Sequence, residues 1–158
     1  MKIKVIAVGN LKERYFREGC EEYLKRLSAY AKVSVTEIPE YRISKEGPAE
    51  IEKCLLEEGE RILSKIGRRS CVLALCVEGE QLSSPQLSQK LYEFGGAGYS
   101  EIVFVIGGSH GLSNLVKERA NMRLSFSEMT FPHQLMRVML LEQIYRACNI
   151  REGGKYHK

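Results

Sequence analysis

The chain alternates between short runs of continuous apolar residues and longer segments in which apolar positions recur every three or four residues. Ile3–Val8 is the first run, closed by Gly9-Asn10. A run this short, apolar throughout and bounded by turn residues, predicts a strand buried on both faces. Val33–Ile38 (stopped by Pro39), Cys71–Val77, Ile102–Ile106 and a segment around Arg123–Phe126 predict four more. Helical spacing over Glu13–Tyr30 predicts a helix with Tyr15, Phe16, Tyr23, Leu24 and Leu27 on its apolar side. After a loop at 40–48, Pro48 opens a second helix to about Ile66, with Ile51, Leu55, Ile62 and Ile66 inward and glutamates solvated opposite. A third begins at Ser84-Pro85, with Ser84 as its N-cap, and ends at Gly95-Gly96-Ala97-Gly98. A short helix spans about Ser113 to Ala120, and a last one runs from Pro132 to about Ile150. Buried strands separated by helices predict one α/β domain over residues 1–158. Its sheet is mostly parallel, has about five strands and carries helices on both faces.

The last helix departs from this scheme. Leu135, Met136, Val138, Met139, Leu140, Leu141, Ile144, Tyr145 and Cys148 wrap most of its circumference. A helix apolar nearly all round needs cover on nearly all sides. A sheet this small covers part of it, and the remainder predicts a second subunit in an isologous dimer.

Charge changes the picture only at one end. Of 158 residues, 24 are Lys or Arg and 20 are acidic, a net charge of +4. All the acids are glutamate, since the chain has no aspartate; aspartyl dyads, aspartyl-phosphate nucleophiles and EF-hand loops are thereby excluded. Residues 1–116 balance 16 basic against 16 acidic side chains, whereas 117–158 hold 8 against 4. The whole excess therefore sits in the last quarter, where an anionic partner is expected. Five cysteines, an odd number without C-x-x-C spacing, read as buried free thiols in a reducing, cytoplasmic compartment, and no metal site is predicted. The N-terminus is too short and charged for a signal peptide, and no apolar stretch reaches a membrane span.

Ligands of doubly wound sheets bind beyond the carboxyl ends of the strands. Three such ends stand out: Val77-Glu78-Gly79, Gly107–Gly111 and Phe126–Phe131. The middle one lets a ligand approach its backbone closely, although a tight turn alone also calls for glycine. Gly107-Gly108-Ser109-His110-Gly111 also matches the G-x-S-x-G nucleophile elbow, with His133 or His157 as base and Glu118 or Glu128 as acid. Against a serine hydrolase stand the short chain, the few strands before the elbow and the lack of a His-Gly-Gly oxyanion segment. A Rossmann fingerprint and a P-loop are both missing, so NAD and ATP are not expected.

On the final helix His133 and Arg137 are spaced i, i+4, as are Glu142 and Arg146; Arg151, Lys155, Tyr156, His157 and Lys158 follow. Such cations neutralise phosphates, and tyrosine or histidine rings stack on unpaired bases. The plainer alternatives are a surface ion pair, worth roughly 0.3–0.5 kcal/mol, and a frayed terminus. A non-catalytic RNA- or ribosome-binding module therefore stands beside the enzyme readings.

Four segments taken together are more specific. Leu73–Gly79, Phe104–Leu112, Phe126–His133 and the closing Tyr156-His157-Lys158 resemble the RlmH family, SPOUT-class methyltransferases that modify a pseudouridine of large-subunit (23S) ribosomal RNA. The likeness covers the whole chain. It implies a C-terminal trefoil knot, a homodimer, S-adenosylmethionine as cofactor without a metal, and the assembled ribosome as substrate. By motif match it implies cofactor contacts from Leu75, Gly107, Phe126, Ser127, Glu128, Met129, Thr130 and Phe131. Similar proteins often carry proline where Ser109 stands, which argues against a nucleophilic serine. Methylation of N3 requires in-line positioning and loss of a weakly acidic imino proton. Tyr156 and His157 are expected to position the base and remove that proton, while Arg146 and His133 stabilise charge or grip phosphate.

Overall fold

A computed structural model describes residues 1–158. The elements alternate as β1 (Lys2–Val8), α1 (Arg14–Leu27), β2 (Lys32–Ile38), α2 (Pro48–Leu63) and β3 (Ser70–Gln81), followed by α3 (Ser84–Gly96), β4 (Glu101–Ile106), α4 (Asn114–Arg119), β5 (Met122–Ser125) and α5 (His133–Arg151). The five strands form one sheet in the order β2-β1-β4-β3-β5, with every pairing parallel. β4 is central and every one of its residues is buried, which is why all of them after Glu101 are apolar. On one face Ile3, Val5, Leu73 and Phe104 pack with Leu27 of α1, Leu87 and Leu91 of α3, and Leu140 and Ile144 of α5. On the other, Ile6, Val72, Val103 and Val105 meet Ile62 of α2 and Val116 of α4.

Several expectations need correction. Ser83, not Ser84, caps α3: its Oγ accepts from the Gln86 amide at 3.3 Å while Gln86 Oε1 accepts from the Ser83 amide at 2.8 Å. This reciprocal box satisfies two amides that the helix start leaves free. Ser83→Ala should lower stability by about 1 kcal/mol. Thermal unfolding would show it as a melting point reduced by roughly 2–4 °C, with ligand binding unchanged. Tyr15 is exposed, whereas Leu27, Tyr23 and Leu24 face the core as expected and Cys20 joins them there. The glutamates of α2 are not all solvated. Glu58 is buried, its Oε2 accepts from the Tyr41 amide at 2.9 Å, and burial pushes its carboxyl above the usual range. Arg137 is no phosphate ligand. It is buried on α5, donating from Nη1 to Glu37 Oε2 at 2.6 Å and from Nη2 to the Gly9 carbonyl at 2.6 Å. It thereby ties α5 to the ends of β1 and β2.

β3 also runs past Val77, where the sequence pattern ends it. Leu75 pairs with Leu124, the register then slips, and Glu80 pairs with the same Leu124 before Gln81 pairs with Ser125. Residues 76–79 are thus an excursion from the ladder, a bulge of the kind often found beside binding sites. Gly79 brings the strand back. A Cβ there would lie 2.7 Å from backbone carbon atoms of Arg123 and Leu124, so only glycine lets the two backbones meet.

Candidate active site

The three strand ends singled out from the sequence converge on one cavity of about 700 Å³ at the carboxyl edge of the sheet. Its walls are the β3 bulge (Leu75, Cys76, Val77, Glu78), the β4 exit from Ile106 to Leu112, and the segment from Leu124 to His133 without Glu128. Lys117 of α4 and Met136 of α5 complete it. Of the expected cofactor contacts, Leu75, Gly107, Phe126, Ser127, Met129, Thr130 and Phe131 all line this cavity, whereas Glu128 does not. His133 lines it too. Val77 and Glu78, at the first of the three expected strand ends, line the cavity as well, whereas Cys76 and Lys117 fall outside those ends; the bulge that brings Cys76 to the cavity is a property of the β3–β5 pairing.

Local chemistry sets the shape of each wall. Gly107 has no room for a side chain, since an added Cβ would collide with the backbone carbonyl of Gly111. Gly111 takes φ +82° and forms an antiparallel bridge with Gly108, so the β4 exit is a closed turn built from glycine. No residue other than glycine has positive φ, so Ser109 lacks the strained backbone of a nucleophile elbow. The 126–131 wall is set by two serines. Ser125 Oγ donates to the Ser127 carbonyl at 3.0 Å, and Ser127 Oγ accepts from the Met129 amide at 3.0 Å. Lys117 Nζ donates to Glu78 within the cavity, and that bond holds the Glu78 carboxyl below the usual range. Cys76 is raised, chiefly by burial, and is a thiol at neutral pH.

The donor set fits S-adenosylmethionine. Leu75, Ile106, Leu112 and Leu124 offer an apolar surface to a purine, the glycine turn brings backbone polar groups to the cavity, and the Glu78–Lys117 pair adds a polar rim. No three His, Cys or Glu side chains converge where they could hold a metal ion.

Tyr156, His157 and Arg146 line neither this cavity nor the smaller one beside it. Arg146 lies thirteen positions after His133 on α5, roughly 20 Å along the helix axis. The tail is not frayed: it folds back on α5, with the Tyr156 amide donating to Asn149 Oδ1 at 3.1 Å and the Gly154 amide to the Asn149 carbonyl at 2.9 Å. Tyr156 hydroxyl donates to Glu142 Oε1 at 3.1 Å, and the Arg146 guanidinium lies 4.5 Å from the Tyr156 ring centre. The Glu142–Arg146 pair is accordingly no surface pair, its side chains being only 17% and 24% exposed. Glu142 reaches the second cavity, of about 570 Å³, which shares Leu124, Ser125 and Phe126 with the first as a common wall.

Comparison with known proteins agrees with this geometry. The family model described as "Predicted SPOUT methyltransferase" matches residues 1–157. Curated relatives named ribosomal RNA large subunit methyltransferase H align over the full length of both chains. The protein of Carboxydothermus hydrogenoformans is 52% identical, that of Leuconostoc mesenteroides 51% and that of Streptococcus suis 49%. Among solved structures, a probable methylase family protein from Haemophilus influenzae Rd KW20 superposes with a TM-score of 0.54 at 11% identity, covering 99% of this chain and 70% of that one. That likeness speaks for the fold alone. A parallel sheet with a glycine-built cleft at its carboxyl edge and a full-length match of this kind lead to one assignment: the chain belongs to the SPOUT methyltransferase family.

Proposed function

We propose that the protein is an S-adenosylmethionine-dependent methyltransferase that modifies N3 of a pseudouridine in large-subunit ribosomal RNA, within the assembled ribosome. The observation that carries this reading is the convergence of Leu75, Gly107 and the 126–131 segment on one cavity, in a chain about half identical to ribosomal RNA methyltransferases throughout. When bound, the cofactor supplies an electrophilic methyl group on a sulfonium. Leu75, Gly107, Phe126, Ser127, Met129, Thr130 and Phe131 hold it, while Glu128, which does not line the cavity, joins Ser127 to Met129 in that loop. His133, at the cavity's edge, grips phosphate. Holding donor and acceptor in line supplies much of the rate.

The active unit is a homodimer. Within one chain the tail cluster and the cavity lie at opposite ends of α5, so Tyr156, His157 and Arg146 meet the cavity of a partner subunit. Val138 and Met139 support this: they line the second, open cavity on the α5 surface, where a partner would cover them. The family's trefoil knot belongs to the same reading. Its support is the path of the chain, which leaves β4, joins the sheet beyond β3 as β5, and returns as α5 to pack on α1. No helix is long and apolar enough to cross a membrane, which accords with action on cytoplasmic ribosomes.

Transfer of labelled methyl from S-adenosylmethionine to intact ribosomes, compared with separated subunits and free RNA, tests the proposal. Label in one uridine-derived nucleoside of intact ribosomes is the expected result; no transfer to any of the three overturns it. Tyr156→Phe should lower turnover about 100-fold, within the range of a positioned polar group, and leave cofactor affinity within twofold. Rapid-quench kinetics beside calorimetry measure both.

A further inference from the structure

The tail cluster is organised around a residue that the motif comparison does not single out. Glu142 Oε1 accepts from Arg146 Nε at 2.9 Å, from Arg146 Nη2 at 2.6 Å and from Tyr156 hydroxyl at 3.1 Å. Its Oε2 accepts from Gln143 Nε2 at 2.8 Å. Both carboxylate oxygens are therefore engaged, in a largely shielded position. Tyr156 is also fixed by the hydrogen bond from its amide to Asn149 Oδ1, by the guanidinium near its ring and by Tyr145, whose ring centre is 4.9 Å away. One further contact extends the network: Arg146 Nη1 lies 3.3 Å from His157 Nδ1. A guanidinium only donates, so Nδ1 is the acceptor and the ring carries its hydrogen on Nε2.

We propose that Glu142 is a positioning residue which locks Arg146 and Tyr156 in place and, through Arg146, holds His157 as the Nε2–H tautomer. The single Tyr156 hydroxyl hydrogen is spent on Glu142, so the tail meets the target base with the remaining N–H groups of Arg146 and the Nε2–H of His157. This rests on the reading of the substrate given above and changes the part played by Tyr156 and His157 in it. A uracil-type ring that loses its N3 proton spreads the negative charge over N3 and the two flanking carbonyl oxygens. Donors aimed at those oxygens favour the anion, as an oxyanion hole does. The N3–H bond breaks with its electron pair left on N3, and the proton passes to solvent water. Tyr156 is unsuited to take that proton. Burial first, then its contacts with Tyr23 and Glu142, push its phenol up to about 12.

Glu142→Gln in the full chain tests this, with Glu142→Asp as the conservative control. Ultraviolet titration of the phenol, read as the difference from the Tyr156→Phe chain, should place Tyr156 about one pH unit lower in Glu142→Gln, and close to the parent in Glu142→Asp. Turnover on ribosomes should fall roughly 100-fold in Glu142→Gln and recover at least tenfold in Glu142→Asp, with cofactor affinity within twofold throughout. In the parent, log kcat should rise with pH at unit slope, and Tyr156→Phe should keep that slope. An unshifted phenol in Glu142→Gln overturns the proposal, as does a slope abolished by Tyr156→Phe or His157→Gln, which would mark the tail as the base. A shifted phenol in a chain whose parent transfers no methyl to RNA overturns the reading of the substrate instead.

Discussion

Replacing Gly107 by valine is expected to remove cofactor binding while the chain stays folded. An added Cβ at this position points at the Gly111 carbonyl, and its next neighbour is the Leu112 side chain at 3.1 Å. The first is backbone and cannot turn aside, so the whole 107–111 turn must open. That turn is one wall of the cavity, and neighbouring residues from Ile106 to Leu112 all face the ligand. The sheet itself ends at Ile106 and need not follow the displacement. Affinity for S-adenosylmethionine should fall at least 100-fold, equivalent to about 2.7 kcal/mol. Far-ultraviolet circular dichroism should remain that of the parent. Calorimetry that returned an affinity within threefold of the parent would show that the ligand does not depend on this turn.

Arg137→Leu should produce a large loss of stability although it exchanges a charged residue for an apolar one in the interior. The guanidinium is buried and makes two 2.6 Å bonds, to the Glu37 carboxylate and to the Gly9 carbonyl. Leucine keeps part of the volume and abandons both acceptors. Breaking a buried pair costs about 3–5 kcal/mol. The lower end applies here, because Glu37 is 47% exposed and water rehydrates it once its partner is gone. A loss of about 3 kcal/mol lowers the melting point of a domain this size by roughly 6–12 °C. Glu37→Gln, which keeps an oxygen acceptor and removes only the charge, should lose well under half as much. Equal losses from the two variants would mean that the Gly9 contact contributes nothing.

The order of strands and helices was legible from apolar runs and helical spacing because Val5–Val8 of β1, Cys71–Ala74 of β3 and Ile102–Ile106 of β4 are buried on both sides and are apolar without interruption. Three neighbouring strand tips were legible as a ligand site for a related reason: in a parallel sheet all carboxyl ends lie on one edge. The residues that escaped did so because their roles belong to pairs distant in sequence. Cys76 enters the cavity through a slip of β3 against β5, which no local pattern encodes. Arg137 looked like one more cation of the basic C-terminal quarter, and only the proximity of Glu37, a hundred residues earlier, shows it to be a clamp. Glu142 and Arg146 carried the spacing of a solvent-facing pair, and it is the returning tail that shields them. The exposed Tyr15 shows the opposite failure: helical spacing nominated it, while the sheet offered that turn of α1 no surface to meet.

The β5 edge has a consequence for how the protein is made. Everything that shapes the cavity's third wall follows Ala120, and so do α5 and the tail. During translation these segments leave the exit tunnel after four of the five strands are already synthesised, and parallel pairing of β5 with β3 has to wait for them. A nascent chain halted anywhere before Met122 thus lacks the third wall and leaves bare the face of the sheet that Leu140, Leu141 and Ile144 cover. The order of synthesis therefore makes the cavity the last part of the fold to close.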